Sequence, residues 1–401
     1  MRIVLISNSD NQGGAAVVTY RLMCALRDLG HHADMLVMHK GTDDPAVHVA
    51  GSAWRIKKGF LAEHLRIFRA CGYDRRNLFK ISIATDGLPL SRHPLVRHAD
   101  AVLLGWVNQG MLSLDEIQRI AAEKPVVWTM HDMWNLTSLC HHAHDCRQYT
   151  QAPGCTDCPL VVRKKLGSTT WSRKKKLYAS GGIRFVAVST WLQRCSAQSS
   201  LMHGIKVECI PNAFPVDEFY TEPRRPRSSL GLPEGKKIIL MGAARLDDPI
   251  KGLPYAIDAL NAFPGNDAVA VFYGAIRNPE TLADLHFPHI TLGPVDIATI
   301  RELCAHATVV MSTSLYETLP GTLIEGMSAG CTPVSFDKGG QSDIITSPEE
   351  GYLVPAYDTK KFAEALRAAL ATPCSPERQR TAVGARFSAA AIARRYLSLL
   401  Q

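Results

Sequence analysis

Short apolar runs alternate with helical patterns along almost the whole of this 401-residue chain, and this alternation restricts its fold more than any other feature. Strands that are buried on both faces read as continuous runs of Val, Ile and Leu, which is typical of parallel α/β sheets. The predicted strands of the first half are Ile3–Ile6, Met35–Val37, Val102–Leu104, Val126–Thr129, Phe185–Val188 and Val207–Ile210.

A second series of strands follows a proline-rich break at residues 211–233, which contains five prolines and which no regular element could cross. The series comprises Lys237–Met241, Ala268–Phe272, His289–Leu292, Val309–Met311, Thr332–Ser335 and Tyr352–Val354. We therefore predict two doubly wound, Rossmann-like α/β domains, residues 1–210 and 211–385, followed by a C-terminal segment, 386–401. Ligands of such sheets bind at the carboxyl ends of the strands, so we expect a cleft between the two domains.

The composition excludes several classes of protein. With 46% hydrophobic and 20% charged residues, the chain can bury a large core and is not disordered. The apolar run in Met1–Asp10 is too short for a signal peptide, and no run approaches a membrane-spanning length. We expect a soluble, cytoplasmic protein whose eleven cysteines do not form a disulfide framework.

Positive charge is concentrated in the first half of the chain. Residues 1–205 contain 26 Lys and Arg against 15 Asp and Glu, a net charge of +11, while the whole chain carries +8. One basic cluster lies between Lys57 and Lys80, and another comprises residues 163–165 and 173–176. These clusters are either a solvated surface or a site for anionic lipid headgroups. Nucleic acid is not expected, since the basic runs lack interleaved aromatic residues or a known binding module.

Residues 308–334 place two carboxylates around a turn that leads into a helix. The helix is predicted over Thr322–Ala329, with Pro320 near its first turn. Its start favours a diphosphate because of the helix dipole and three backbone N–H groups, those of Gly321, Thr322 and Leu323. Glu317 and Glu325 can accept hydrogen bonds from sugar hydroxyls. The alternative is an ordinary strand-loop-helix unit with two surface glutamates.

Two further pairs of residues follow predicted strands. Arg245 and Lys251 suit a diphosphate leaving group, the first through bidentate bonds and the second as a point charge, so that no metal is needed for catalysis. His131 and Asp132 follow the strand Val126–Thr129. A neutral His131 imidazole there could bind a sugar hydroxyl or developing charge. A loop arginine and lysine on the surface, and a packed strand-end histidine, remain the alternatives.

Glycines and cysteines mark two more candidate sites. Gly13 and Gly14 precede a helix predicted over Ala15–Leu29 and would let the backbone approach an anionic ligand closely. Four cysteines within nineteen residues favour a structural Zn²⁺, with His141, His142 and His144 as possible substitute ligands. The spacing is not that of a standard zinc finger, so free thiols or a redox pair remain open. The four are Cys140, Cys146, Cys155 and Cys158.

The segment from Glu317 to Glu325 resembles the Glu-x7-Glu signature of retaining glycosyltransferases of family 4, with Gly326 where alanine is usual. Gly242–Arg245 with Lys251-Gly252 resembles that family's Gly-x-x-Arg…Lys-Gly motif, and His131-Asp132 occupies the place of its His-Asp pair. The stretch from Trp128 to Pro159 is similar to the subgroup of colanic-acid-type exopolysaccharide glycosyltransferases.

This resemblance implies a GT-B fold in which the C-terminal helix crosses back onto the first domain. It also implies site roles: Glu317 contacts the donor sugar, Glu325 the ribose, and the Gly13-Gly14 loop faces the donor phosphates and the acceptor. Asp132 would orient His131 or meet the acceptor.

We therefore expect a retaining hexosyltransferase that moves a sugar from a UDP- or GDP-sugar to a lipid-linked saccharide of a surface polysaccharide, at the anionic inner face of the cytoplasmic membrane. His131, Glu317, Arg245 and Lys251 would form the catalytic set. A nucleotide-sugar epimerase or a sugar phosphorylase could use the same fold. A non-catalytic polysaccharide-assembly subunit is the alternative from another class.

Overall fold

The structure of the protein is a computed structural model that describes residues 1–219, 223–263 and 267–400. Residues 220–222 of the predicted proline-rich linker and the last residue of the predicted C-terminal segment lie outside these ranges. The chain divides into two units. The first domain runs from Met1 to Ala213 and includes the segment that begins at Ile392, and the second runs from Phe214 to Ala391.

The described residues of the first domain form a seven-stranded parallel sheet in the order β3-β2-β1-β4-β5-β6-β7. Its strands are rich in buried Val, Ile and Leu because helices cover both faces of a parallel sheet. The strand order changes direction between β1 and β4, which pair in parallel from Ile3 with Ala101 onwards. The strands are β1 (Arg2–Ser9), β2 (His32–His39), β3 (Val47–Val49), β4 (Ala101–Leu104), β5 (Val126–Met130), β6 (Ile183–Ala187) and β7 (Val207–Cys209).

Helices of the first domain begin at residues that suit helix starts. The hydroxyls of Ser113 and Ser189 accept backbone N–H bonds at the starts of two of them, which satisfies groups that the helix itself leaves unpaired. The helices are α1 (Gly14–Asp28), α2 (Ala53–Ala70), α3 (Pro94–His98), α4 (Leu114–Glu123), α5 (Lys165–Ala179) and α6 (Thr190–Gln198).

In the second domain, the described residues form a six-stranded parallel sheet in the order β10-β9-β8-β11-β12-β13. Phe272, Phe336 and Phe362 lie in its core between the sheet and a layer of helices. The strands are β8 (Lys237–Arg245), β9 (Ala268–Ala275), β10 (His289–Thr291), β11 (Val309–Ser312), β12 (Thr332–Asp337) and β13 (Tyr352–Pro355). The helices are α7 (Val216–Phe219), α8 (Leu253–Asn261), α9 (Ile297–His306), α10 (Gly321–Ala329), α11 (Thr359–Ala371) and α12 (Pro376–Phe387).

The last helix, α13 (Ala389–Leu400), joins the first domain. Ile392, Ala393 and Tyr396 are buried, and the Tyr396 hydroxyl lies 2.9 Å from the Thr129 hydroxyl on β5. Arg395 donates to the carbonyl of Cys209 at the end of β7. These contacts attach the C-terminal segment to two strands of the first sheet.

The prediction of two doubly wound α/β domains is confirmed. All twelve predicted strands are present, and among the described residues the sequence pattern missed one strand, β3, whose three residues include the polar His48. Within the described ranges, no helix has the length and apolar character needed to cross a bilayer.

Candidate functional site

Two loops of the second domain bring Lys251 and Glu317 together. The Thr313 hydroxyl donates to the carbonyl of Lys251 over 3.1 Å, and the Leu315 backbone N–H donates to the carbonyl of Ile250 over 2.7 Å. These bonds tie the loop after β8 to the loop after β11. As a result, the Lys251 ammonium donates to Glu317 Oε1 over 2.5 Å, with both side chains about one-fifth to one-quarter exposed.

Arg245 ends β8 and is held by two carboxylates. Its guanidinium lies 3.4 Å from Asp247 and 3.0 Å from Asp248. Asp248 also accepts the backbone N–H of Ile250, so the same residue orients Arg245 and starts the turn that carries Lys251. The side chain of Arg245 is 34% exposed, which leaves part of the cation open to an anionic ligand.

Helix α10 begins one residue earlier than predicted, at Gly321, with Pro320 as its N-cap residue. The predicted trio of N–H donors at this start is only partly correct, because the Leu323 N–H donates to the carbonyl of Pro320 over 3.2 Å. Gly321 and Thr322 are half-buried. Glu325 is also half-buried, and its charge adds to the effect of burial in raising the pKa of Tyr273.

In the first domain, Gly13 and Gly14 form the start of α1. Gly13 has a φ of +89°, a left-handed conformation that favours glycine. A Cβ atom built on either glycine would have no other atom within 4 Å, so open space lies above this helix start. The predicted helix Ala15–Leu29 is thus present with its start one residue earlier.

His131 and Asp132 follow β5 but differ in environment. Burial lowers the pKa of His131 from its usual 6.5 to about 4, and Asp132 only partly offsets this, so the imidazole is neutral at pH 7. Burial alone would raise the pKa of Asp132, but His141 and accepted hydrogen bonds lower it to about 2. Asp132 accepts from the Trp106 indole N–H over 2.8 Å and from the Trp134 backbone N–H over 2.7 Å.

These first-domain residues line one cavity of about 480 Å³. It lies where β1, β4 and β5 end, next to the reversal of strand order, where ligands of doubly wound sheets bind. Its lining combines polar residues, a glycine turn, three histidines and three aromatic residues: Ser7, Asn8, Ser9, Gln12, Gly13, Gly14, Ala15, Ala16, His39, Phe60, Phe79, Trp106, Gln109, His131, Asp132 and His142.

The four cysteines of the predicted zinc site are not arranged as a metal site in this structure. Among the described residues, which include all four cysteines, no group of three or more Cys, His, Asp or Glu is arranged to hold a metal ion. Cys140 packs with Ile67, Ile81 and Leu139 in an apolar cluster, and burial raises the pKa of its thiol to about 12. The thiols of Cys155, Cys158 and Cys146 add to this rise in the pKa of Cys140 through their charges. Cys146 is exposed on a loop.

Several residues of the cavity were not found from the sequence, chiefly Trp106, Phe60, Phe79 and Gln109. They come from separate segments and share no motif. One signal was available for Trp106, because it follows β4 by two residues and therefore lies at the carboxyl edge beside the strand-order reversal.

The fold is shared with solved glycosyltransferase structures. Anabaena HepE, crystallised in complex with UDP and glucose, matches with a TM-score of 0.67 and 17% identity, covering 100% of this chain and 99% of that one. The two Rossmann-like domains thus form a GT-B fold.

Residues 235–372 match the model of the family described as "Glycosyl transferases group 1", so this part of the chain is related to that family. A phosphatidyl-myo-inositol mannosyltransferase of Mycobacterium leprae (strain TN) is 31% identical over 176 residues, which is 42% of this chain and 46% of that protein. An exopolysaccharide phosphotransferase of Streptomyces coelicolor is 32% identical over 170 residues, which is 40% of this chain and 17% of that protein. The chain spans less than half of the length of the curated relatives it matches.

Proposed function

We propose that the protein is a retaining hexosyltransferase of family 4 that transfers a sugar from a nucleoside diphosphate sugar to a saccharide acceptor. The observation that carries this proposal is the Lys251–Glu317 pair, which sets an ammonium group and a carboxylate side by side before the start of α10. The group 1 match over residues 235–372 includes both residues.

Each candidate site residue of the second domain has a role in the proposed reaction. Arg245 and Lys251 stabilise the departing diphosphate by charge, which needs no metal ion. The N–H groups of Gly321 and Thr322 face the phosphates, Glu325 binds the ribose, and Glu317 binds the donor sugar.

The first domain supplies His131, whose neutral imidazole contacts the donor sugar, and the Gly13-Gly14 turn, above which a ligand can approach the backbone. As the bond from the anomeric carbon to the phosphate oxygen breaks, an acceptor hydroxyl forms the new bond on the same face. The leaving phosphate takes the hydroxyl proton.

The donor in this proposal is a UDP- or GDP-sugar, and the UDP bound to HepE favours UDP. The acceptor is a lipid-linked saccharide of a surface polysaccharide. The names of the two curated relatives, a phosphatidylinositol mannosyltransferase and an exopolysaccharide phosphotransferase, support a lipid- or polysaccharide-directed enzyme.

We further propose that helix α2 binds the anionic inner face of the cytoplasmic membrane. Trp54, Leu61 and Leu65 are 67%, 53% and 47% exposed and follow one another at helical spacing. Lys57 and Lys58 are exposed on the same helix, and the Lys58 ammonium lies 5.1 Å from the Trp54 ring centre. Exposed aromatic and aliphatic residues beside lysines suit the interface of an anionic bilayer.

The basic run at residues 173–176, by contrast, is only partly exposed. Lys174 is fully buried, and its ammonium group donates to the carbonyls of Trp134 and Thr137. Arg173 pairs with Asp115 at 3.3 Å. Lys174 and Arg173 therefore stabilise the fold, whereas residues 163–165 and Lys176 are exposed.

Mass spectrometry of the products from a panel of UDP- and GDP-sugars, each offered with lipid-linked saccharide acceptors, tests the transferase. One donor should give a product heavier than the acceptor by one sugar residue, and NMR of its anomeric proton should show that the configuration of the donor is retained. Donor isomerisation without acceptor would indicate an epimerase, and phosphate-dependent sugar release a phosphorylase. Either result, or no donor binding at all, would overturn the proposal.

Cosedimentation with vesicles tests the membrane surface. The wild-type protein should bind vesicles rich in phosphatidylglycerol, lose binding as salt rises, and bind neutral phosphatidylcholine vesicles poorly. The variant with Lys57→Glu and Lys58→Glu should bind weakly. Its matched control, Arg224→Glu with Arg225→Glu in the second domain, carries the same charge change and should bind normally. Equal loss in both would show that net charge, not α2, governs binding.

A further inference from the structure

The two cations of the second-domain site are held in different ways. Arg245 lies 3.4 Å from Asp247 and 3.0 Å from Asp248. Asp247 is itself fixed, because it accepts the backbone N–H groups of Arg277 and Asn278 over 2.8 and 3.0 Å. Arg245 is therefore paired with a carboxylate that the backbone keeps in place.

Lys251, by contrast, is paired with a side chain that can exchange its partner. The ammonium donates to Glu317 Oε1 over 2.5 Å, and the two side chains are 25% and 19% exposed. The backbone of Glu317 is anchored, since its carbonyl accepts the Gly340 N–H over 3.0 Å and it forms a parallel bridge with Gly339. The peptide of Glu317 can thus stay where it is while its carboxylate exchanges the ammonium for a ligand.

This pair leaves both residues occupied before a donor binds. In the proposed reaction, Lys251 binds the diphosphate and Glu317 binds the sugar. An ammonium can bond two anions at once, but the carboxylate then faces the diphosphate as a like charge. A donor that carries its sugar removes this conflict, because neutral hydroxyls donate to the Glu317 carboxylate. A nucleoside diphosphate without a sugar offers no such replacement.

We propose that Glu317 competes with the diphosphate for Lys251 and thereby promotes release of the product nucleotide. While the donor sugar occupies Glu317, Lys251 is available to the diphosphate. Once the sugar has moved to the acceptor, Glu317 bonds Lys251 again and the nucleoside diphosphate leaves. The inference rests on the proposed transferase function and adds a second role for Glu317 to it.

Binding of the nucleotide alone tests the competition without turnover. The full-length protein is titrated with UDP and with GDP in a calorimeter. Glu317→Gln keeps the size of the side chain but removes its charge, so it should bind the nucleotide about fivefold more tightly than the wild type, as expected when one partly exposed ion pair no longer has to be broken. Glu317→Ala should show a gain in the same direction. The control Glu364→Gln, at an exposed position of α11, should leave the affinity unchanged.

A double-mutant cycle separates competition for Lys251 from a general effect of charge. Lys251→Ala should weaken nucleotide binding about fivefold more in the Glu317→Gln background than in the wild type. The reason is that the wild-type lysine gives up its bond to Glu317 when it bonds the diphosphate, whereas the lysine of the variant gives up nothing. Equal losses in the two backgrounds would show that Glu317 acts through its charge alone.

Steady-state kinetics test the consequence for turnover. With the donor that gives product in the mass-spectrometric panel, Glu317→Gln should lower the inhibition constant of the product nucleotide about fivefold without lowering the KM for the donor. General damage to the site would instead weaken the binding of both, and thermal unfolding of each variant without ligand identifies damage to the fold.

Unchanged or weaker nucleotide binding by both Glu317 variants overturns the inference, as do equal losses in the cycle. Either result leaves the proposed transferase intact, because the wild type still binds the nucleotide. If the wild type binds neither UDP nor GDP, the proposed function fails and the inference fails with it.

Discussion

The two domains share a sheet architecture but differ sharply in the chemistry at the carboxyl ends of their strands. The second domain presents ion pairs, Lys251 with Glu317 and Arg245 with Asp247 and Asp248, on partly exposed loops. The first domain presents an aromatic cavity with one buried carboxylate, Asp132. The difference shows that loop residues alone give the same sheet architecture two different chemical surfaces, one charged and one largely aromatic.

Removing the charges of the second domain should have the largest effect. Arg245→Ala and Lys251→Ala should each lose about 3 kcal/mol of transition-state stabilisation, which lowers kcat by roughly 10²-fold, because preorganised cations act on charge that develops in the transition state. Steady-state kinetics with the identified donor measure this. Lys360→Ala, at an exposed lysine of α11, is the control. Near-normal turnover in both site variants would remove these residues from the mechanism.

The loop beside the first-domain cavity should depend on a buried lysine for its stability. Burial lowers the pKa of Lys174 well below its usual value, and its ammonium group lies 3.3 Å from the Trp134 ring centre while bonding two carbonyls of the loop that carries Asp132 and His141. Lys174→Ala should lower the free energy of unfolding by about 3 kcal/mol, since it leaves buried carbonyls unpaired.

Lys176→Ala, two residues along the same helix at an exposed position, should change stability by less than about 0.5 kcal/mol. Chemical denaturation measures both variants. If they are equally stable, the Lys174 contacts do not support the loop.

The neutral state of His131 should appear in the pH dependence of stability. Its pKa is about 4 in the folded protein and near 6.5 when unfolded, so between these values the unfolded chain binds more protons. The free energy of unfolding should therefore fall by roughly 2 kcal/mol from pH 7 to pH 5 through this group.

Denaturation curves at the two pH values, compared with those of His131→Asn, isolate the contribution of the imidazole. The variant should have the shallower dependence. Identical slopes would mean that His131 is protonated as readily in the folded protein as in the unfolded chain.

The smallest expected effect concerns the glycine turn of the first domain. Gly14→Ala should leave stability unchanged or slightly raised, because no atom opposes the new methyl group and alanine favours helices. It should still raise the KM for the substrate that binds above the turn a few-fold, since the methyl group occupies that space. Gly384→Ala in α12 has equal room and lies outside the candidate site, and it should affect neither quantity. Equal KM values for both variants would exclude a ligand from this helix start.

A feature could be predicted from the sequence when its residues lie close together in the chain. Strands were found to within a few residues because each is one continuous apolar run, and Lys251 and Glu317 because each belongs to a short motif. The aromatic cavity could not be predicted, since it joins segments that only the fold brings together. The cysteine spacing gave no indication that Cys140 belongs to an apolar cluster.

The helical periodicity of α5 indicates that Lys174 is buried, although its basic neighbours suggested a surface position. Thr170, Lys174, Leu177 and Tyr178 recur at helical spacing on the buried face of α5, whereas the run of four basic residues was interpreted as surface. A helical pattern can therefore outweigh a charge cluster when the lysine ammonium has carbonyl partners.

Helix α13 affects the order in which the two domains can complete their folding. Its Tyr396 pairs with Thr129 on β5 of the first domain, 267 residues earlier in the chain. During synthesis the N-terminal domain would ordinarily fold first. Here the ribosome must make the whole second domain before the first can acquire its last helix. A nascent chain stalled before Ile392 should accordingly expose the surface of the first domain that Tyr396 later covers.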